Sequence, residues 1–243
     1  MNKINLPKIN YHVDRKSYLP AIIALILSLV PWYFSSHFSS DLFSKHFTIQ
    51  ILFFLANFMI NFLTMDRLTN KTNIRLMAPL ALIPLLIFAI LLLSNDRYIS
   101  LIGILTFVPY ISTFLPFNGK NGVGLISFSI SLGTLVPITY FYIRNDFVSS
   151  VFLKICLLLT LTFISILFSI FINHSNKFII LGIVLNILVL ILSAFILKSW
   201  NSLVFPILGL IGWLIPRFKL PSNLNLFILA ILTCVLMIFT ASN

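Results

Sequence analysis

Nine apolar runs, separated by short polar stretches, fix what this chain can fold into. They lie near residues 18–34, 47–64, 76–93, 99–116, 124–143, 150–172, 178–197, 202–215 and 224–240, and the longest hold 17–23 residues. A helix rises 1.5 Å per residue, so runs of this length match a hydrocarbon core about 30 Å thick. Inside lipid every backbone N–H and C=O must be paired within the protein, which makes a continuous apolar run a helix. A membrane β-barrel would show alternating apolar and polar residues, and these runs do not alternate. Composition agrees: 60% of residues are hydrophobic, 9% are charged, and mean hydropathy is +1.09, whereas soluble domains carry about a quarter charged residues. The expected fold is all-α, a polytopic bundle of about nine transmembrane helices. A basic arm covers 1–17 and a single transmembrane domain covers 18–243.

Charge sets the expected orientation. The net charge is +11, and all five acidic residues are Asp, with no Glu. The basic residues stand singly or in small groups between apolar runs, which argues for membrane orientation and against nucleic acid as a partner. With the N-terminus cytoplasmic, the inner segments hold Lys3, Lys8, Arg15, Lys16, Arg67, Lys71, Arg75, Lys120, Lys177, Arg217 and Lys219. The outer ones hold Lys45, Arg97, Arg144 and Lys198. Lys154, within the sixth run, is read as snorkelling to the outer interface. This bias follows the positive-inside rule and places the chain in a bacterial cytoplasmic membrane. The first run ends in Pro31-Trp32-Tyr33-Phe34, read as an interfacial aromatic rim of an uncleaved span. The eighth run carries Pro206, Gly209 and Gly212 and is expected to be bent or partly re-entrant.

The candidates for chemistry are few. There is no Gly-x-Ser-x-Gly elbow, no pair of histidines at helical spacing, and no Cys-x-x-Cys; Cys156 and Cys234 are read as buried helix side chains. No catalytic residue, metal or cofactor is read from the sequence. Asn57 and Asn61, one helical turn apart, and Asn186 in the seventh run are intramembrane polar groups. Amides of this kind bridge helices or line a polar pocket. The stretch NFLTMDRLTNKTNIRL, with the second helix ending at Thr64, puts Asp66, Arg67, Asn70, Lys71, Asn73 and Arg75 in one cytoplasmic loop. These residues and Lys120 are the candidate ligand or headgroup site.

That loop resembles the one after the second helix in the UbiA family of membrane prenyltransferases. There an Asn-Asp-x-x-Asp-x-x-x-Asp motif holds Mg²⁺ against a prenyl diphosphate. Asp66 takes one Asp position, Asn70 stands where an Asp four residues later belongs, and Asn73 and Arg75 match the trailing Asn and Arg. The second acidic motif has no counterpart in NHSNK (173–177). The resemblance implies a divergent member in which Mg²⁺-dependent transfer is lost and Asp66→Ala costs little. From about residue 71 onward the chain also resembles the YwiC-like family of small bacterial membrane proteins. It does so in KTNIRLMAPLALIPLLIFAILL, ISLIGILTFVPYISTF, GKNGVGLISFSISLG and PRFKLPSNLNLFILAIL. That family's Pro-Lys-x-His-Gly-Ala-Trp opening is replaced here by DRKSYLP (14–20). Together these lead to a non-catalytic protein binding a membrane lipid or isoprenoid. A small-solute transporter or permease subunit, and a partner-dependent structural or immunity protein, are the alternatives.

Overall fold

The computed structural model describes residues 18–38, 46–70, 74–93, 97–115, 120–172, 176–218 and 221–242. The basic arm 1–17 and the stretch 173–175 lie outside them. The described residues are helical and contain no strand. Each apolar run forms one helical body, three of them in pieces. The elements are α1 (Leu19–His37), α2 (Phe47–Asn70), α3 (Ile74–Leu93), α4 (Arg97–Leu105), α5 (Val108–Ser112), α6 (Gly122–Ile130), α7 (Val136–Asn145), α8 (Ser150–Phe171), α9 (Asn176–Leu197), α10 (Val204–Leu214) and α11 (Ser222–Ser242). Among the described residues six stretches are long and apolar enough to cross a membrane: Leu19–His37, Phe47–Thr69, Gly122–Asn145, Ser150–Phe171, Ile179–Leu197 and Leu224–Ser242. Pro79–Leu93, Arg97–Ser112 and Trp200–Leu214 are shorter apolar helices. The chain therefore has the build of a multi-pass helical membrane protein.

The breaks within the runs have local causes. Pro109 has no N–H for the carbonyl of Leu105, and α4 ends there. Thr106 fills the gap, its N–H shared between Ile102 O and Gly103 O and its hydroxyl donating to Gly103 O at 2.6 Å. In the fifth run Pro137 cannot serve the carbonyl of Gly133. The chain widens into a π-helical turn over Ser131–Leu135, closed by the Val136 N–H on Ser131 O. The eighth run is continuous but uneven. A 3₁₀ turn (Trp200–Leu203) leads into α10, and another (Ile215–Phe218) follows it.

Helix α8 is the central post. It packs against α6, the π turn, α9, α10 and α11. Two glycines bring neighbours to backbone contact with it. A Cβ on Gly133 would lie 2.7 Å from Thr160 Cα, and one on Gly212 would lie 2.8 Å from Ile166 Cα. Close approach through small residues is how helices associate where lipid supplies no hydrophobic drive. Around α8 one apolar core gathers Leu159, Phe163 and Phe168 with Phe34, Phe205 and Leu229. A second core, built on Phe53, Phe88 and Tyr140, joins α2 to α3, α4, α5 and α7. Helix α9 has little buried surface, and Ile180, Ile191 and Phe195 point outward. An evenly apolar helix on the perimeter is what lipid contact selects.

Two readings of the sequence change. The Trp32–Phe34 segment is not a rim: α1 runs on to His37 with Pro31 inside it. Phe34 is fully buried and Trp32 turns inward onto Tyr140 and Phe54, leaving Tyr33 as the exposed ring. Helix α2 continues past Thr64 to Asn70, so Asp66 and Arg67 belong to its last turns and not to a loop.

Candidate functional site

Asp66 and Arg67 read as loop residues because two adjacent charges interrupt an apolar run. The helix carries on through them because the next turn is anchored. Met65 and Leu68 are buried in the α8-centred core, and the Thr69 hydroxyl donates to Met65 O at 2.8 Å. The Arg67 side chain reaches toward the end of α5. Asp66 is 5% exposed and Arg67 8%, so both are buried charges in the last turns of a membrane helix. The Arg67 guanidinium lies 5.5 Å from the Phe114 ring centroid, a cation–π arrangement. Its charge also acts on Tyr110 in α5. Helix α5 in turn packs on α6. Just before α6 stands Lys120, half-buried, and Asn121 caps the helix, its Oδ1 accepting from the Gly124 N–H at 2.9 Å.

Of the candidate loop residues, the structure brings Asp66 and Arg67 into one buried turn, and Lys120 precedes α6, which packs on α5. Lys71 and Asn73 lie outside the described residues. Asn70 ends α2 and Arg75 opens α3, and their side chains lie outside the description too. Burial changes the expectation for Asp66. Asp66 is almost wholly removed from solvent and is not without a partner, so Asp66→Ala is expected to lower stability by about 1–3 kcal/mol, the cost of removing a buried polar group from its surroundings. A melting temperature in detergent, compared with Asp66→Asn, checks this.

The three intramembrane amides do not form one site. Asn61 Nδ2 donates to the Ser28 hydroxyl at 3.0 Å, and Ser28 donates to Ala24 O at 2.8 Å, tying α2 to α1. Asn186 Nδ2 donates back to Gly182 O of its own helix at 2.9 Å, while its Oδ1 faces Gly209 of α10. Asn57 is 1% exposed, and neither amide atom has a hydrogen-bond partner. Helix α9 packs on α8 and α10, whereas α2 packs on α1, α3, α5 and α7. Two small apolar cavities lie inside the bundle. They share Leu27, Leu132 and Thr233 and hold about 10 Å³ each.

A polar cluster that the sequence did not single out sits at the opposite end of α2. Gln50 is fully buried, and its Oε1 accepts from Trp32 Nε1 at 3.0 Å and from the Arg144 guanidinium at 3.1 Å. Trp32 stacks on Tyr140, and Phe53 meets Tyr140 edge-on at 4.9 Å. A glutamine inside an apolar run was the available signal. Its partners are 18 and 94 residues away, beyond any local pattern. Searches among protein-family models, curated proteins and solved structures find no match to this chain.

Proposed function

We propose that this chain is a nine-span protein of the cytoplasmic membrane, α1 starting on the cytoplasmic side, that holds an anionic lipid or isoprenoid headgroup where α2, α5 and α6 meet. The observation that carries this reading is Arg67, buried and set over Phe114 at a helix end. A guanidinium presents five N–H donors in a planar fork suited to phosphate. Lys120 stands just before α6, and Lys71 and Arg75 follow α2 in sequence, against the carboxylate of Asp66. That excess of positive charge at a membrane surface attracts anionic headgroups by about 1 kcal/mol per basic residue. The apolar cavity beside Met65, Leu68 and Phe128 and its neighbour beside Val30 and Met237 are too small for an acyl or prenyl chain as they stand. The chain of the ligand therefore lies along the outside of the bundle, or enters only as α1 and α11 part. With Asp66 the one carboxylate in the stretch 61–80, the reading is binding without metal-assisted transfer, and the divergent UbiA-like and YwiC-like resemblances are consistent with it.

The test is thermal unfolding in nanodiscs of phosphatidylcholine, with and without phosphatidylglycerol or a prenyl diphosphate. A ligand that binds only the folded state raises the melting temperature by mass action. The expected result is a rise with either anionic ligand, largely lost in Arg67→Gln and reduced in Lys120→Gln. Equal rises in wild type and Arg67→Gln would overturn the site. No rise with any anionic ligand would overturn the function.

A further inference from the structure

At the other end of α2, about 30 Å from Arg67 along the helix, three helix ends converge on a small polar cavity. His46 precedes α2, Arg97 opens α4, and Asp146 closes α7. With Tyr98, Ile99, Tyr142 and Ile143 they line an open cavity of about 80 Å³. Ile99 and Ile143 are buried and form an apolar floor. Tyr98 and Tyr142 meet edge-to-face at 6.2 Å and form a wall. The backbone holding the charges is fixed. Asp146 sits in the left-handed region at φ 58°, its N–H on Tyr142 O at 2.9 Å, and His46 O accepts from the Gln50 N–H at 3.0 Å. Gln50 also receives Arg144, two residues before Asp146, which ties the start of α2 to the end of α7.

Arg97 and Asp146 line the same small space, and among the described residues no side-chain hydrogen bond or ion pair joins them to each other or to His46. A guanidinium and a carboxylate that line one cavity without joining each other are complementary to a molecule that carries both charges. We infer that this cavity binds a small zwitterion, its acid group on Arg97 and His46 and its primary ammonium on Asp146, between the two tyrosines. That both charges line one small cavity suits an acid and an ammonium joined by one or two carbons, as in glycine or in the head of phosphatidylethanolamine. Charge-assisted contacts at both ends orient such a ligand. This inference is independent of the headgroup site at the far end of α2.

The experiment uses the full chain in phosphatidylglycerol nanodiscs, which contain no zwitterion, with thermal unfolding read against added glycine and, separately, against phosphatidylethanolamine in the disc. The expected result is a rise in melting temperature with one or both. Glycine alone identifies a free solute, and phosphatidylethanolamine alone identifies the headgroup. Arg97→Gln and Asp146→Asn should each weaken binding about tenfold or more, the loss of one charge-assisted contact. Both side chains are exposed, so the unliganded melting temperature should hold. No rise with either ligand overturns the inference. A rise that survives in both variants, or one that acetate matches, overturns it as well.

Discussion

Gly133→Ala is expected to destabilise the protein by about 1–3 kcal/mol, the range for overpacking a tight interior. A chain of this size loses about 2–4 °C of melting temperature per kcal/mol. The reason lies in what the added methyl meets. It would fall 2.7 Å from both Thr160 Cα and Thr160 N, and 2.5 Å from the Thr160 hydroxyl oxygen. The hydroxyl can turn away, but the backbone of α8 cannot move without disturbing the helices packed round it. Thr160→Ala should therefore fail to rescue Gly133→Ala. Two other glycines calibrate the result. At Gly103 the three atoms nearest the new methyl belong to the buried Phe88 ring, a side chain and not a backbone, so a somewhat smaller loss is expected. At Gly122, in the first turn of α6, nothing lies within 4 Å, and alanine should be neutral or slightly stabilising because it restricts the unfolded chain. The order Gly133, Gly103, Gly122 in melting temperature is the measurement. Equal effects at all three would remove the π turn's contact with α8 as the cause.

The same contrast shows what a one-dimensional reading of this chain could and could not reach. Helix existence is a property of hydropathy alone, and each apolar run from 18–34 to 224–240 became one helical body. Breaks were half legible. Pro109 and Pro137 mark where a backbone donor is missing, but whether the chain kinks, as at Thr106, or widens, as at Ser131–Leu135, depends on what packs there. The end of α2 was misplaced because Asp66 and Arg67 look like loop chemistry, while burial of Met65 and Leu68 extends the helix to Asn70. The aromatic end of α1 failed for the same kind of reason. Trp32 has an amphipathic side chain suited to an interface, but here a buried glutamine on another helix meets its N–H. Asn61 behaved as its type predicts, bridging to Ser28. The candidate site was legible as charge and not as geometry. The sequence put Arg67 near Lys120 by topology, and only the fold sets α5 with Tyr110 and Phe114 against Arg67.

Gln50→Leu is the second large effect, expected at about 2–3 kcal/mol, because it removes the acceptor shared by the Trp32 indole N–H and the Arg144 guanidinium. Losing a partner of a charged, largely buried donor costs more than the net worth of the bond. A double-mutant cycle separates that from simple loss of packing. Arg144→Met alone should cost less, since the Gln50 Oε1 still accepts from Trp32. Gln50→Leu with Arg144→Met should cost less than the sum, with a coupling of about 1–2 kcal/mol. Additivity within about 0.5 kcal/mol would mean the two side chains act separately. Gln50→Glu is the constructive variant. It keeps an acceptor for Trp32 and offers Arg144 a charge-assisted bond, so it should match or exceed wild type in stability. The clamp also has a consequence at a distance. It ties the first turn of α2 to the last turn of α7, the elements that present His46 and Asp146 to the polar cavity. Gln50→Leu, though it lines no part of that cavity, should therefore weaken glycine or phosphatidylethanolamine binding, and Gln50→Glu should preserve it. Stability and ligand affinity falling together in the first variant, and holding together in the second, would tie the buried network to the site above it.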